Sequence, residues 1–175
     1  MKYLQDGSHR TQPLMRLSLV LTLVLLVAFW GTNCAMFFSR MSLDPASVAV
    51  YYNGSEAEFR PPRSAASLLE TTHAHLPMMA LVLLLLTHLL LFVPLRRRAK
   101  PVVIAGSFAC ALLDEGGGWL VRFVSPGLAP VKIAGFLGLQ AALLFLLVAL
   151  GRSLVRGPVA PVQDAAVHPT EGGLP

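Results

Sequence analysis

Charge is what this sequence has least of. Asp, Glu, Lys and Arg make up 13% of its 175 residues, against about a quarter in an ordinary soluble domain. Hydrophobic residues reach 55%. That imbalance excludes a soluble globular chain and leaves no length for a second globular domain. Cysteine is scarce as well: Cys34 and Cys110 stand alone, at different depths of their apolar runs, which argues against an intramolecular disulfide and for two small buried hydrophobes. The common catalytic signatures are missing. There is no G-x-x-x-x-G-K-[ST], no G-x-S-x-G and no H-E-x-x-H, which sets aside phosphotransfer on a P-loop and the usual hydrolase nucleophiles. No internal repeat is visible.

What the chain does have is four apolar runs, near residues 17–38, 75–95, 102–123 and 129–150. Each approaches or exceeds the roughly 20 residues that cross a hydrocarbon core of about 30 Å. The expected fold is therefore all-α, a polytopic membrane four-helix bundle. Residues 1–16 form a cytoplasmic leader, 17–156 the four-transmembrane-helix domain with an outer loop at 39–72, and 157–175 a disordered cytoplasmic tail rich in Pro, Gly and Ala. The first run is longer than a signal-peptide core and no small-x-small cleavage site follows it, so it reads as an uncleaved span. The net charge of +5 sits at the ends of the runs rather than in one patch, which points to a bilayer and not to nucleic acid. With four spans, Lys2, Arg10, Arg16, Arg96, Arg97, Arg98, Lys100, Arg152 and Arg156 share one side, and Arg40, Arg60, Arg63, Arg122 and Lys132 the other. Nine against five puts both termini in the cytoplasm of a bacterial inner membrane.

Local signals refine this picture. Asp44-Pro45 and Asn53-Gly54 mark turns. The pattern Val48–Tyr52 suggests a short strand, and Ser64–Glu70 a short amphipathic helix. Thr71 or Thr72 suits an N-cap for the second span. Pro77 lies in its first turns or begins it, which leaves His73 and His75 in helix or in lead-in. Ala134, Gly138 and Ala142 form a small-residue stripe suited to close helix packing. Gln140 is expected to bond to another helix, and Lys132 to snorkel outward.

The residues that could carry chemistry are few. His73 and His88 are fifteen residues apart, within 60° of one face of a regular helix and roughly 22 Å along it, which predicts a shared inward stripe. His73-Ala74-His75 could hold zinc or copper if Glu70, Asp114 or Glu115 joined it. Asp114 and Glu115 lie inside an apolar run, where an aspartate costs about 2.5–3.5 kcal/mol on insertion scales, so they are candidates for proton handling or for pairing with His or Arg.

Two histidines at this spacing on one helix resemble the haem-bearing helices of cytochrome b. The resemblance implies haem b on His73, His75 or His88, with the second ligand from a homodimer partner, another subunit, or Met36, Met78 or Met79. Thr-His-x-His-Leu (72–76), Thr-His-Leu-Leu-Leu (87–91) and Gly-Trp-Leu-Val-Arg-Phe (118–123) resemble a group of small four-span bacterial inner-membrane proteins over roughly residues 51–137, and this implies architecture without chemistry. Three functions follow from the sequence. The first is a redox membrane subunit in which His73, His75 or His88 ligates haem or contacts quinone while Asp114 and Glu115 handle protons. The second is a non-catalytic interaction or assembly protein with a structural His/Asp/Glu network. The third is metal or proton translocation. In each the bilayer is a partner, and a homo-oligomer or larger membrane complex is expected.

Overall fold

The computed structural model describes residues 13–57 and 59–155. Most of the expected leader and all of the 157–175 tail lie outside these. The described chain is all-helical: α1 (Pro13–Phe38), α2 (Pro45–Asn53), α3 (Ala65–Leu90), α4 (Ala99–Phe123), a 3-10 turn at Pro126–Leu128 and α5 (Ala129–Val155). Among the described residues α1, α3 and the segment from Pro126 through α5 are long and apolar enough to cross a membrane. At 1.5 Å per residue each exceeds the hydrocarbon thickness. α4 is as long, at 25 residues, but Asp114, Glu115 and three glycines lower its apolarity. It buries one face, Ser107, Ala111, Asp114, Gly117, Gly118 and Val121, and packs most intimately along α5.

The segment 39–72 is more ordered than a loop. Val48–Tyr52 is helical, not a strand. Its β-branched and aromatic residues favour extended chain locally, but Asp44 accepts a hydrogen bond from the Ala46 amide at 3.2 Å and Pro45 occupies the first helical position. This start signal wins, and the helix then buries Val48 and Tyr52 one turn apart. Gly54, at φ 79°, closes the turn that follows. A Cβ there would lie 2.5 Å from the Arg60 carbonyl oxygen. The expected short helix at 64–70 is the beginning of α3. Ser64 is its N-cap and accepts from the Ser67 amide at 3.1 Å, so neither Thr71 nor Thr72 is needed for that role. α3 continues through Pro77 and carries both His73 and His75 in helix. It ends at Leu90, before residue 95, because Pro94 bars helical geometry at the residue before it. Lys100 Nζ caps the freed Leu91 carbonyl at 2.6 Å.

Two apolar cores hold the helices. One gathers Met79, Leu83, Leu86, Leu139, Leu143 and Leu146. The other lies at the α2 end and gathers Phe37, Val48, Tyr52, Val121 and Phe136, with the Phe37 and Phe136 rings stacked at 3.8 Å. The α4–α5 seam is set by glycine. A Cβ on Gly135 would lie 2.6 Å from the Asp114 amide nitrogen, one on Gly117 2.8 Å from Lys132 Cα, and one on Gly138 2.6 Å from Cys110 Sγ. Of the expected stripe, Gly138 is at this seam, whereas Ala134 is exposed. A methyl group on Gly116 would meet nothing within 4 Å. Gly135→Val should therefore lower stability by about 1–3 kcal/mol through overpacking, while Gly116→Ala should be neutral or raise it by up to about 1 kcal/mol. Thermal unfolding of the two variants in detergent checks the opposite signs.

Candidate functional site

Between the two cores lies a polar layer that α3, α4 and α5 build together. Asp114 and Lys132 are each 8% exposed. Lys132 Nζ donates to Asp114 Oδ1 at 2.5 Å and to the Asp114 carbonyl oxygen at 2.8 Å. Lys132 thus points into the bundle instead of snorkelling outward, because a buried carboxylate one helix away gives its ammonium a charged partner that the nearby surface does not. One residue further along α4, Glu115 Oε1 lies 2.9 Å from His75 Nδ1. A proton on Nδ1 makes this a charge-assisted N–H donor to the carboxylate and leaves Nε2 available. Trp119 Nε1 donates to Thr72 Oγ1 at 3.0 Å, tying the same two helices one turn higher.

These groups face a cavity of about 90 Å³ lined also by Tyr51, Tyr52, Phe37 and Phe136. Its neighbour, about 70 Å³, is lined by Phe29, Thr32, Asn33, Met36, Met78 and Met79, with His75 shared between the two. The second cavity lies between α1 and α3, helices that pack on α5 rather than on each other. The Asn33 Nδ2 in its wall is buried with no hydrogen-bond partner among the described residues. His75 therefore stands where an apolar opening between two long helices meets a polar interior.

The remaining sequence candidates are placed elsewhere. His73 and His88 are both exposed, so the face they share is outward and the expected inward stripe is not formed. His88 instead lies edge-on to Phe92 at 5.9 Å. A ligand common to both would lie outside this bundle. His73 and His75 are two residues apart on a continuous helix, about 200° around it, so the His-x-His pair does not converge. Among the described residues no group of three or more His, Cys, Asp or Glu could hold a metal ion. Arg122 does not join the carboxylates; its Nε donates to the Arg63 carbonyl at 2.8 Å. Gln140 bonds as expected, accepting from Cys34 Sγ at 3.3 Å, while its carbonyl accepts from Trp30 Nε1 at 3.2 Å. Both cysteines are free.

Tyr52 was not singled out by the sequence, and it closes the polar layer from α2. Its ring covers Gly118, where a Cβ would come within 2.8 Å of the Tyr52 hydroxyl. Burial pushes the phenol up from its ordinary 10.0, partly offset by the nearby Lys132 charge. The folded state therefore holds this proton more tightly than the unfolded chain. The resulting stability is complete below pH ~10 and is lost as pH rises through the higher folded value. Tyr52→Phe should flatten that alkaline loss, measured as Tm between pH ~9 and ~12 against wild type.

Fold and site together define an all-helical, multi-pass integral membrane protein with a polar chamber inside its helical bundle. A family described as a transmembrane helical domain matches residues 42–160, more than half of the sequence, and the chain belongs to that family. No curated protein and no solved structure matches it.

Proposed function

We propose that the protein is a redox-type membrane subunit that binds a quinone headgroup at His75 and Glu115. The observation that carries this reading is the apolar opening between α1 and α3 that ends on His75. A lipid-soluble ligand reaches such a site from the bilayer without crossing water. The two cavities, about 90 and about 70 Å³, are together on the scale of the ~150 Å³ cavity that takes up one benzene ring in a protein core. His75 Nε2 would donate to a quinone oxygen when the ring carries both protons and accept from a quinol hydroxyl when only Nδ1 is protonated, and Glu115 would take or return the proton. Asp114 is engaged by Lys132 and serves to fix the layer, so Glu115 is the better of the two carboxylates for proton handling. The three methionines of the opening, Met36, Met78 and Met79, give an adaptable wall for a ring and its tail.

The topology that goes with this reading is four spans, α4 included, with both termini on the cytoplasmic side of a bacterial inner membrane. Its support is the basic cluster of Arg96, Arg97 and Arg98 in the short α3–α4 connection and Lys100 in the first turn of α4, and the pairing of both carboxylates within α4. The Thr-His-x-His-Leu and Gly-Trp-Leu-Val-Arg-Phe motifs then supply the two walls of one site. In the second reading the layer is purely structural, favoured by the closed Lys132–Asp114 pair. Solvent extraction of the detergent-purified full-length protein separates them. The quinone reading expects near-stoichiometric quinone in the extract and quenching of Trp119 fluorescence by an added short-chain quinone, absent in Trp119→Phe. An extract free of quinone with unquenched fluorescence defeats it. A Soret band in the same sample would move the assignment to haem.

A further inference from the structure

Next to the polar chamber, and sharing Arg40, Tyr51 and Arg63 with its wall, a groove of about 670 Å³ opens where α1 ends and α3 begins. Its wall carries Arg40, Arg63, Tyr51, Ser64 and Ser67, and no carboxylate lines it among the described residues. Two guanidinium groups converge there on one neutral acceptor. Arg63 Nη2 donates to the Tyr51 hydroxyl at 2.5 Å and Arg40 Nη1 to the same oxygen at 3.4 Å. Arg63 also lies 4.9 Å over the Tyr51 ring and donates through Nη1 to Ser67 at 3.0 Å. Its Nε is buried without a partner. Neither Arg40 nor Arg63 makes an ion pair among the described residues. Two like charges drawn to a single phenol are held against their mutual repulsion, and the first turn of the 26-residue helix α3, with its positive dipole end, adds to the same field.

We propose that this groove binds a phosphate-group oxyanion between Arg40 and Arg63. Arginine offers five N–H donors in a planar fork suited to phosphate oxygens, and the bonds of Arg63 to Tyr51 and Ser67 leave three of its five unused. An anion seated there compensates both charges, which the tyrosine hydroxyl cannot do. The groove lies level with the end of α1, whose last residue, Phe38, is exposed, so the phosphate arrives either on an anionic lipid headgroup at the membrane surface or as a free ion. Arg40, Tyr51 and Arg63 stand in the wall of both the groove and the chamber, but the oxyanion site rests on the two arginines and not on His75 or Glu115, so it does not require that the chamber bind quinone.

The test is thermal unfolding of the full-length protein in a neutral detergent. Phosphatidylglycerol is titrated against phosphatidylcholine, and inorganic phosphate against chloride at equal ionic strength. A saturable rise of about 5 °C with phosphatidylglycerol alone assigns the phosphate to a lipid, and the same rise with inorganic phosphate assigns it to a soluble ion. Arg40→Gln, at an exposed position, should lose most of the rise; Arg63→Gln should lose it too. Arg97→Gln, in the α3–α4 connection, should keep it. The proposal is overturned by no rise with either phosphate source, by a full rise in Arg40→Gln, or by an equal loss in Arg97→Gln.

Discussion

Lys132→Met should lower the melting temperature by roughly 6–20 °C. Removing one partner of a buried ion pair costs about 3–5 kcal/mol, because the other charge is left without compensation, and a chain of this size moves about 2–4 °C per kcal/mol. Here Asp114 would lose a 2.5 Å bond to its carboxylate and a 2.8 Å bond to its carbonyl at once. The backbone cannot retreat to admit solvent. Asp114 lies opposite Gly135 and Lys132 opposite Gly117, so each member of the pair is set at the point where the other helix has no side chain. The double variant Asp114→Leu, Lys132→Met removes both charges and should recover to within about 1–2 kcal/mol of wild type, since an apolar replacement of a buried pair is often neutral or better. Thermal unfolding of the three variants in one detergent gives the cycle. A Lys132→Met protein melting within about 2 °C of wild type would show that the pair does not hold α4 to α5.

How much of this was legible depended on whether the information is local. Helix existence was legible, because apolar runs of span length dominate a composition that is 55% hydrophobic. Asp114 and Glu115 stood out for the same reason, as carboxylates in an apolar run, and His75 was grouped with them by depth along the chain. The partner of Asp114 was not found, although a signal exists. The turn at 124–128 folds α4 back on α5, and the close pairs Asp114/Gly135 and Gly117/Lys132 are both centred between Val124 and Ser125. Folding the sequence at that point lays the acid beside the base. What misled the reading of Lys132 was its position near a span's end, where snorkelling is the ordinary outcome.

The histidines failed differently. A 100° wheel places His73 and His88 on one face, but periodicity does not say which face is inward. The buried residues of α3, namely Leu68, Met79, Val82, Leu83, Leu86, Thr87 and Leu90, define an inner stripe that leaves both histidines outside. Only His75 turns toward α4, and that depended on α3 staying helical through Pro77. The strand reading of Val48–Tyr52 failed because side-chain propensity was weighed above the Asp44-Pro45 start. With it went Tyr52, which reaches the chamber only from a helix.

His75→Ala and Glu115→Gln should each weaken quinone binding by about 10–100-fold, the range expected when a hydrogen bond to a charged group is lost. Their stability cost should be small by comparison with Lys132→Met. The His75 side chain is 39% exposed at the opening between α1 and α3, against 11% for Lys132, so this pair is the less enclosed of the two and its loss should cost less than that of the Lys132–Asp114 pair. The separation of the two effects is what distinguishes a binding pair from a packing pair lying side by side on α4. The double variant sharpens it. If Glu115 acts by holding the Nδ1 proton of His75, so that Nε2 meets the ligand, Glu115→Gln should cost almost nothing further once His75 is alanine. The coupling would then be nearly the whole of the single effect. Quenching titrations with a short-chain quinone on the four proteins, run beside their melting curves, supply both readouts. Wild-type affinity in His75→Ala would remove the quinone from this site, and equal losses of Tm in the His75 and Lys132 variants would make the whole layer a lock for the helices.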